Sequence, residues 1–225
     1  MPVGIVTGAS RGLGRALTRA LVSRGWIIVA DARDDRALAE AWEGEPKVLA
    51  IPGDVTSEAH LRALVEAAGQ SIDLVVNNAS ALGPSPQPAL AEYPLDVLRR
   101  VYDVNVIAPL ALVQLALPRL SAGARILNVT SDAAVEPYEG WGGYGSSKAA
   151  LEQLTAILGA EHADVRVYAV DPGDMRTQMQ QEAFPGDDIS DRPPPEESVP
   201  GLLALIDGDL ASGRYSAREL VEVNA

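Results

Sequence analysis

The chain contains no cysteine, which excludes disulfides, thiolate nucleophiles and cysteine-ligated metals together. Histidine is nearly absent as well. The two present, His60 and His162, fall on helical patterns, and no His/Asp/Glu cluster has metal-ligand spacing, so no metal site is expected. Aromatic residues make up only 4%. Basic residues are outnumbered 31 to 18 by acidic ones, for a formal net charge of −13. A surface this acidic repels phosphate backbones and anionic lipid, so neither nucleic acid nor membrane is expected as a partner. No apolar run approaches the roughly 18 residues of a membrane span. Met1-Pro2-Val3-Gly4-Ile5 enters a strand pattern without a preceding basic region and long apolar stretch, and a cytoplasmic protein is the default expectation.

What remains is an ordinary globular composition, 47% apolar and 22% charged. The 225 residues suit one large α/β domain and are too few for two. Short runs rich in Val, Ile and Leu read as strands covered on both faces: Val3–Val6, Ile27–Ala30, Val48–Ile51, Leu74–Val76, Ile126–Val129 and Val165–Val170. Longer helical patterns lie between them. Gly12–Arg24 follows a glycine-rich turn, Ser57–Ala68 opens on a Ser cap, and Gly143–His162 is long. Leu95–Leu120 is apolar on more than one face, and Pro109 and Pro118 should bend or end it. Such alternation implies a parallel, doubly wound sheet. The one compositional break is residues 185–200, with five prolines. It precedes a final helix near Val199–Ile206 and lies where ligands bind in such folds, beyond the carboxyl ends of the strands. We read a substrate lid over about residues 175–200.

Thr7-Gly8-Ala9-Ser10-Arg11-Gly12-Leu13-Gly14 joins the first strand to the first helix. Gly8 permits a tight turn, and bare backbone at Gly12 and Gly14 lets a pyrophosphate approach the helix N-terminus, where free N–H groups await it. The Thr-Gly-x-x-x-Gly-x-Gly spacing resembles that of the short-chain dehydrogenase/reductases. The resemblance implies a Rossmann-type sheet of about seven strands in the order 3-2-1-4-5-6-7. It also assigns Asp54-Val55, after the third strand, to the adenine, and Asn78-Ala79 to the turn after the fourth. The family usually has Asn-Asn-Ala-Gly there, so Ser80 in Asn77-Asn78-Ala79-Ser80 is a departure.

Tyr144-Gly145-Ser146-Ser147-Lys148 carries the strongest chemical signal. Its Tyr and Lys stand one helical turn apart on one face. A nearby ammonium favours phenolate, and a tyrosine so tuned, its pKa lowered toward neutrality, can move the proton that accompanies hydride transfer. By resemblance, Ser131, thirteen residues before Tyr144, is the serine that holds the substrate oxygen. Asn105 is the helix asparagine that organises a water linking Lys148 to solvent. Asn105, Ser131, Tyr144 and Lys148 would thus form the family's catalytic tetrad, and Pro172, Gly173 and Thr177 would meet the nicotinamide or phosphate.

The second strand ends Asp31-Ala32-Arg33-Asp34. An acid here binds the ribose hydroxyls of NAD, whereas an arginine pairs with the 2′-phosphate of NADP. Counting from Gly25, the family's NAD-selecting acid falls on Ala32, with Arg33 next. With Arg11 offering a second guanidinium, NADP is favoured and NAD remains open. Asp31 is carried as a cofactor contact that could instead end the strand or orient Arg33. Ala81, Ala133, Val135, Trp141, Met175, Met179 and Phe184 would line a mostly apolar pocket for a small carbonyl or alcohol. No carboxylate-binding arginine is evident there unless Arg176 points inward. The leading reading is hydride transfer between NADP(H) and that substrate. The alternatives are an NAD-dependent relative, an epimerase or dehydratase with the same Tyr and Lys, and a non-catalytic dinucleotide sensor. Family members pair through their two long helices, so a homodimer or homotetramer is expected.

Overall fold

A computed structural model describes residues 1–223. Seven strands form one parallel sheet: β1 (Val3–Val6), β2 (Ile27–Ala32), β3 (Val48–Pro52), β4 (Ile72–Asn77), β5 (Leu120–Val129), β6 (Arg166–Asp171) and β7 (Gly213–Ser216). Their order is β3-β2-β1-β4-β5-β6-β7, as expected. Strand side chains alternate between faces, and because both faces are covered, both sets are apolar. Ile5, Val29, Val75, Ile126 and Val167 enter one core, while Val6, Ile28, Leu74, Leu127 and Tyr168 enter the other.

Helices α1 (Gly12–Ser23), α2 (Asp35–Trp42) and α8 (Val199–Asp207) cover the second core. Helices α3 (Glu58–Ala68), α5 (Ala108–Ala116) and α6 (Gly142–Glu161) cover the first. Caps mark the starts that short polar side chains allow: Asp34 accepts from the Ala37 N–H, and Ser57 from that of His60. Helix α4 (Leu95–Tyr102) runs into α5 through a π turn over Asp103–Ile107, and a short α7 (Gln178–Ala183) and a terminal α9 (Ala217–Val223) complete the set.

Pro109 does not end the long helix. A proline cannot return an N–H to the residue four back, here Asn105. The π turn absorbs the mismatch by shifting the ladder, with the Ala108 N–H donated to Asp103. The whole helix Leu95–Arg119 is long and apolar enough, by length and composition, to cross a membrane, although half of that window is buried inside the protein. The expectation that no apolar run approaches a membrane span is corrected on this point: Leu95–Leu120, which its prolines were expected to bend or end, continues as one helix through α4, the π turn and α5. Its apolar excess serves the core: Leu112, Val113 and Ala116 are fully buried between α3 and the sheet.

Candidate active site

The carboxyl ends of the strands open onto a cleft of about 1290 Å³. Every expected cofactor or catalytic residue lines it except Gly14 and Asn105. Gly14 lies behind the phosphate turn, where a Cβ would sit 2.5 Å from the Gly8 carbonyl oxygen and from Asn78 Nδ2. Its bareness lets α1 close on the turn rather than admitting a ligand. Gly8 and Gly12 have positive φ, 67° and 54°, which side-chain-bearing residues rarely adopt. Asn78 fastens the turn from below, donating through Nδ2 to the carbonyls of Thr7 (2.8 Å) and Gly8 (3.1 Å).

Asp31 corrects the sequence reading. Its carboxylate faces inward and is 1% exposed. Oδ1 accepts the Gly8 N–H at 2.8 Å, and Oδ2 lies 3.1 Å from His60 Nε2. The Asp31 carbonyl takes the Ala9 N–H at 2.8 Å. The acid braces the glycine turn, each oxygen being engaged by a protein partner. His60, given no role from sequence, is its buried partner, and Gly53 must be bare because the imidazole packs over it, 2.3 Å from where a Cβ would stand. Trp42 adds a third brace through an Nε1–H donated to the Ala9 carbonyl. Nothing in a single sequence pairs residues 31 and 60, which meet only when β2 and α3 pack.

Arg33 lines the cleft without a hydrogen-bond or ion-pair partner among the described residues. Arg11 is held instead by Gln178 of α7 and by Asp34, at 3.5 Å. Asp54 is ionised at the far end. Burial pulls its pKa up, but hydrogen bonds from Thr56 and the charges of Arg100 and Arg33 hold it below the usual value. Thr177 caps α7 by accepting the Gln180 N–H, and its methyl faces Gly12.

Tyr144, Ser131 and Lys148 meet at the other end. Asn105 stands behind them and uses its whole side chain within the protein. Oδ1 accepts from the Ala81 N–H (2.7 Å) and Ser80 Oγ (3.0 Å), while Nδ2 donates to the Ala81 carbonyl (2.9 Å) and Ser147 Oγ (2.9 Å). Asn105 is a brace here, and no side-chain atom is left over to hold a water. Lys148 donates to the Val129 carbonyl at 2.8 Å, its Nζ 5.4 Å from the centroid of the Tyr144 ring. Burial brings the ammonium down to about 8, against an opposing pull from Glu152. The Tyr144 phenol, in contrast to the lowered pKa expected of it, is pushed well up. Burial dominates, Asp171 and Asp132 add to it, and hydrogen bonding to Ser80 and Ser131 only partly offsets it. Desolvation of the phenolate outweighs an ammonium committed to a backbone carbonyl.

Ser131 Oγ donates to Asp132 Oδ1 at 2.9 Å. Behind it, Arg214 of β7 ties Glu152 (2.9 Å) to Asp171 (3.3 Å), and Thr130 donates to the same Glu152 oxygen. Of the expected pocket residues, Ala133, Trp141, Met175, Met179 and Phe184 line the cleft. Ala81 and Val135 do not; Val135 is 57% exposed, and Leu82 and Ala183 take their places. Trp141 touches Tyr144 edge-on at 5.8 Å and Phe184 at 5.9 Å, so the substrate end has aromatic walls. Arg176 lines the cleft while donating to the Ser190 carbonyl.

Comparison with known proteins gives one consistent answer. The sequence profile of the short chain dehydrogenases matches residues 2–188. Benzil reductase ((S)-benzoin forming) from Saccharomyces cerevisiae is 33% identical over 192 residues, covering 79% of this chain and 73% of its own. Sepiapterin reductase from Bos taurus is 30% identical, with 97% of this chain and 88% of its own covered. Among solved structures, a short chain dehydrogenase from Shigella flexneri complexed with NADP superposes with a TM-score of 0.88 at 26% identity, covering 96% of this chain and 97% of that one.

Proposed function

Because the chain belongs to the short-chain dehydrogenase/reductase family, we propose that this oxidoreductase reduces a small, mostly apolar ketone or aldehyde with NADPH, Tyr144 being the proton donor. The observation that carries the reading is the meeting of the Tyr144 phenol and the Ser131 hydroxyl in a cleft walled by Trp141 and Phe184, where burial favours the protonated phenol. A phenol protonated throughout the neutral range is prepared to give a proton, as reduction requires. Bound NADPH would supply the hydride. The chain's own residues hold the carbonyl oxygen between the hydroxyls of Ser131 and Tyr144, exclude water with Trp141, Met179 and Phe184, and keep Lys148 beneath the phenol. The aromatic walls favour an aryl or similarly flat substrate, which agrees with the benzil and sepiapterin named for two relatives.

The glycine turn fits a dinucleotide, since at Gly12, which lines the cleft at the start of α1, an added Cβ would meet only the Thr177 methyl at 3.5 Å, leaving bare backbone where a pyrophosphate approaches. Unpartnered Arg33 supports a 2′-phosphate, as does the NADP in the Shigella structure. Arg33→Ala should raise the NADPH dissociation constant by about 10- to 100-fold, the weight of a charge-assisted contact, and leave that of NADH within about threefold. Equal losses for both, measured by nicotinamide fluorescence, would remove Arg33 from the phosphate site.

The lid is assigned to α7 and the turn at Pro195–Glu197, which line the cleft mouth. Self-association is assigned to the long-helix face. Leu95 (62%), Ile107 (55%) and Ile157 (42%) are exposed there, an apolar set suited to a second copy. Sedimentation should show dimers or tetramers at micromolar concentration; a monomer alone would refute this assembly.

A further inference from the structure

Position 80 is where this chain leaves its family's usual glycine, and the residue that replaces it is hydrogen-bonded to Asn105, behind Tyr144. Ser80 Oγ donates to Asn105 Oδ1 at 3.0 Å and lines the same cleft as Tyr144. Its donation to Asn105 is redundant, because that oxygen also accepts the Ala81 N–H at 2.7 Å. Releasing the hydroxyl therefore leaves no buried acceptor unpaired, and the usual cost of such a loss does not arise. The hydroxyl rotates freely about its C–O bond and has one proton to give to either neighbour.

We propose that Ser80 is an additional catalytic residue, whose hydroxyl turns from Asn105 Oδ1 to the Tyr144 oxygen when that oxygen loses its proton. The inference rests on the reading of Tyr144 as proton donor. As hydride reaches the carbonyl carbon, the C=O π pair moves to oxygen and takes the Tyr144 proton, leaving phenolate. Ser80 then exchanges its hydrogen bond to Asn105 for one to that anion, with no bond to a heavy atom made or broken. An anion is the stronger acceptor, so the exchange is downhill.

The phenolate needs such a donor here. Asp171 and Asp132 face it with negative charge from the ends of β6 and β5, and burial disfavours it further. Lys148 lies below the ring, and its neighbour Glu152 is shared with Arg214. Ser131, the other hydroxyl in reach, donates to Asp132.

The test replaces Tyr144 by a fluorinated tyrosine, whose more acidic phenol titrates in an accessible range. Its fluorine resonance is followed against pH with Ser80, S80A and S80T. S80A should move the midpoint up by about one pH unit, or about tenfold in phenolate fraction, and S80T should restore it. In the unlabelled enzyme S80A should lower kcat for reduction by about tenfold with KM for the carbonyl within about twofold, since the interaction is made only after proton loss. An unmoved midpoint overturns the role of Ser80 while leaving that of Tyr144 intact. A Tyr144 reading in error shows instead as a Y144F enzyme of unchanged kcat.

Discussion

Tyr144→Phe should lower kcat for carbonyl reduction by about 10²- to 10⁴-fold, the usual weight of a positioned acid, while the NADPH dissociation constant stays within about threefold. Phe keeps the ring that packs edge-on against Trp141 and removes only the hydroxyl. The wild-type pH profile has a worked sign. Reduction needs a protonated phenol and gains from a charged Lys148. Burial raises the Tyr144 pKa and lowers that of Lys148 to about 8. The rate should therefore hold through neutral pH and fall on the alkaline side, as Lys148 and then Tyr144 lose their protons. A rate that rises steadily into the alkaline range would assign Tyr144 as a base instead.

Asp31→Ala should weaken NADPH and NADH together, by about tenfold or more, with the ratio of the two affinities unchanged. The substitution leaves the Gly8 N–H and the His60 ring without their buried acceptor, and each orphan costs about 1–3 kcal/mol. Melting temperature should fall with it. Asp31→Asn separates the brace from its charge. It keeps a carbonyl oxygen for Gly8, and its amide can face a His60 nitrogen in the accepting tautomer, so most of the affinity should return. If Asp31 instead touched the ribose, Asp31→Ala would strike NADH selectively. Isothermal titration with both cofactors distinguishes the two outcomes.

These two residues show how far the sequence can be read. Tyr144 is legible because its partner lies on the same helix turn, and helical spacing is a local property. The strands are legible because their apolar runs are each a few residues long, and their order came with the family resemblance of the glycine turn. Asp31 was misread because the direction of its side chain is decided by α3, which folds His60 against the end of β2. Its neighbour Ala32 holds the register where the family's acid would stand, and that offset of one residue turns the carboxylate toward His60 of α3 and the glycine turn. The expected fall in the Tyr144 pKa failed for a related reason. Spacing puts Lys148 near the phenol, but burial decides the charge, and the ammonium finds the Val129 carbonyl first. Arg214 comes from β7, far from Ser131 in sequence, and no local pattern announces it. Ser80 was visible as a departure, and its consequence appeared only with Asn105 and Tyr144 in place.

The central claim is that hydride passes from NADPH to a carbonyl held at Tyr144. It is tested most directly by NADPH carrying deuterium as its transferable hydrogen, incubated with the enzyme and an aryl ketone, with the alcohol product read by mass spectrometry. One deuterium is expected on the carbinol carbon, with the yield of labelled alcohol falling in step with kcat in Tyr144→Phe. Tight NADPH binding with no labelled alcohol from any ketone would contradict it and leave a protein that only binds the cofactor.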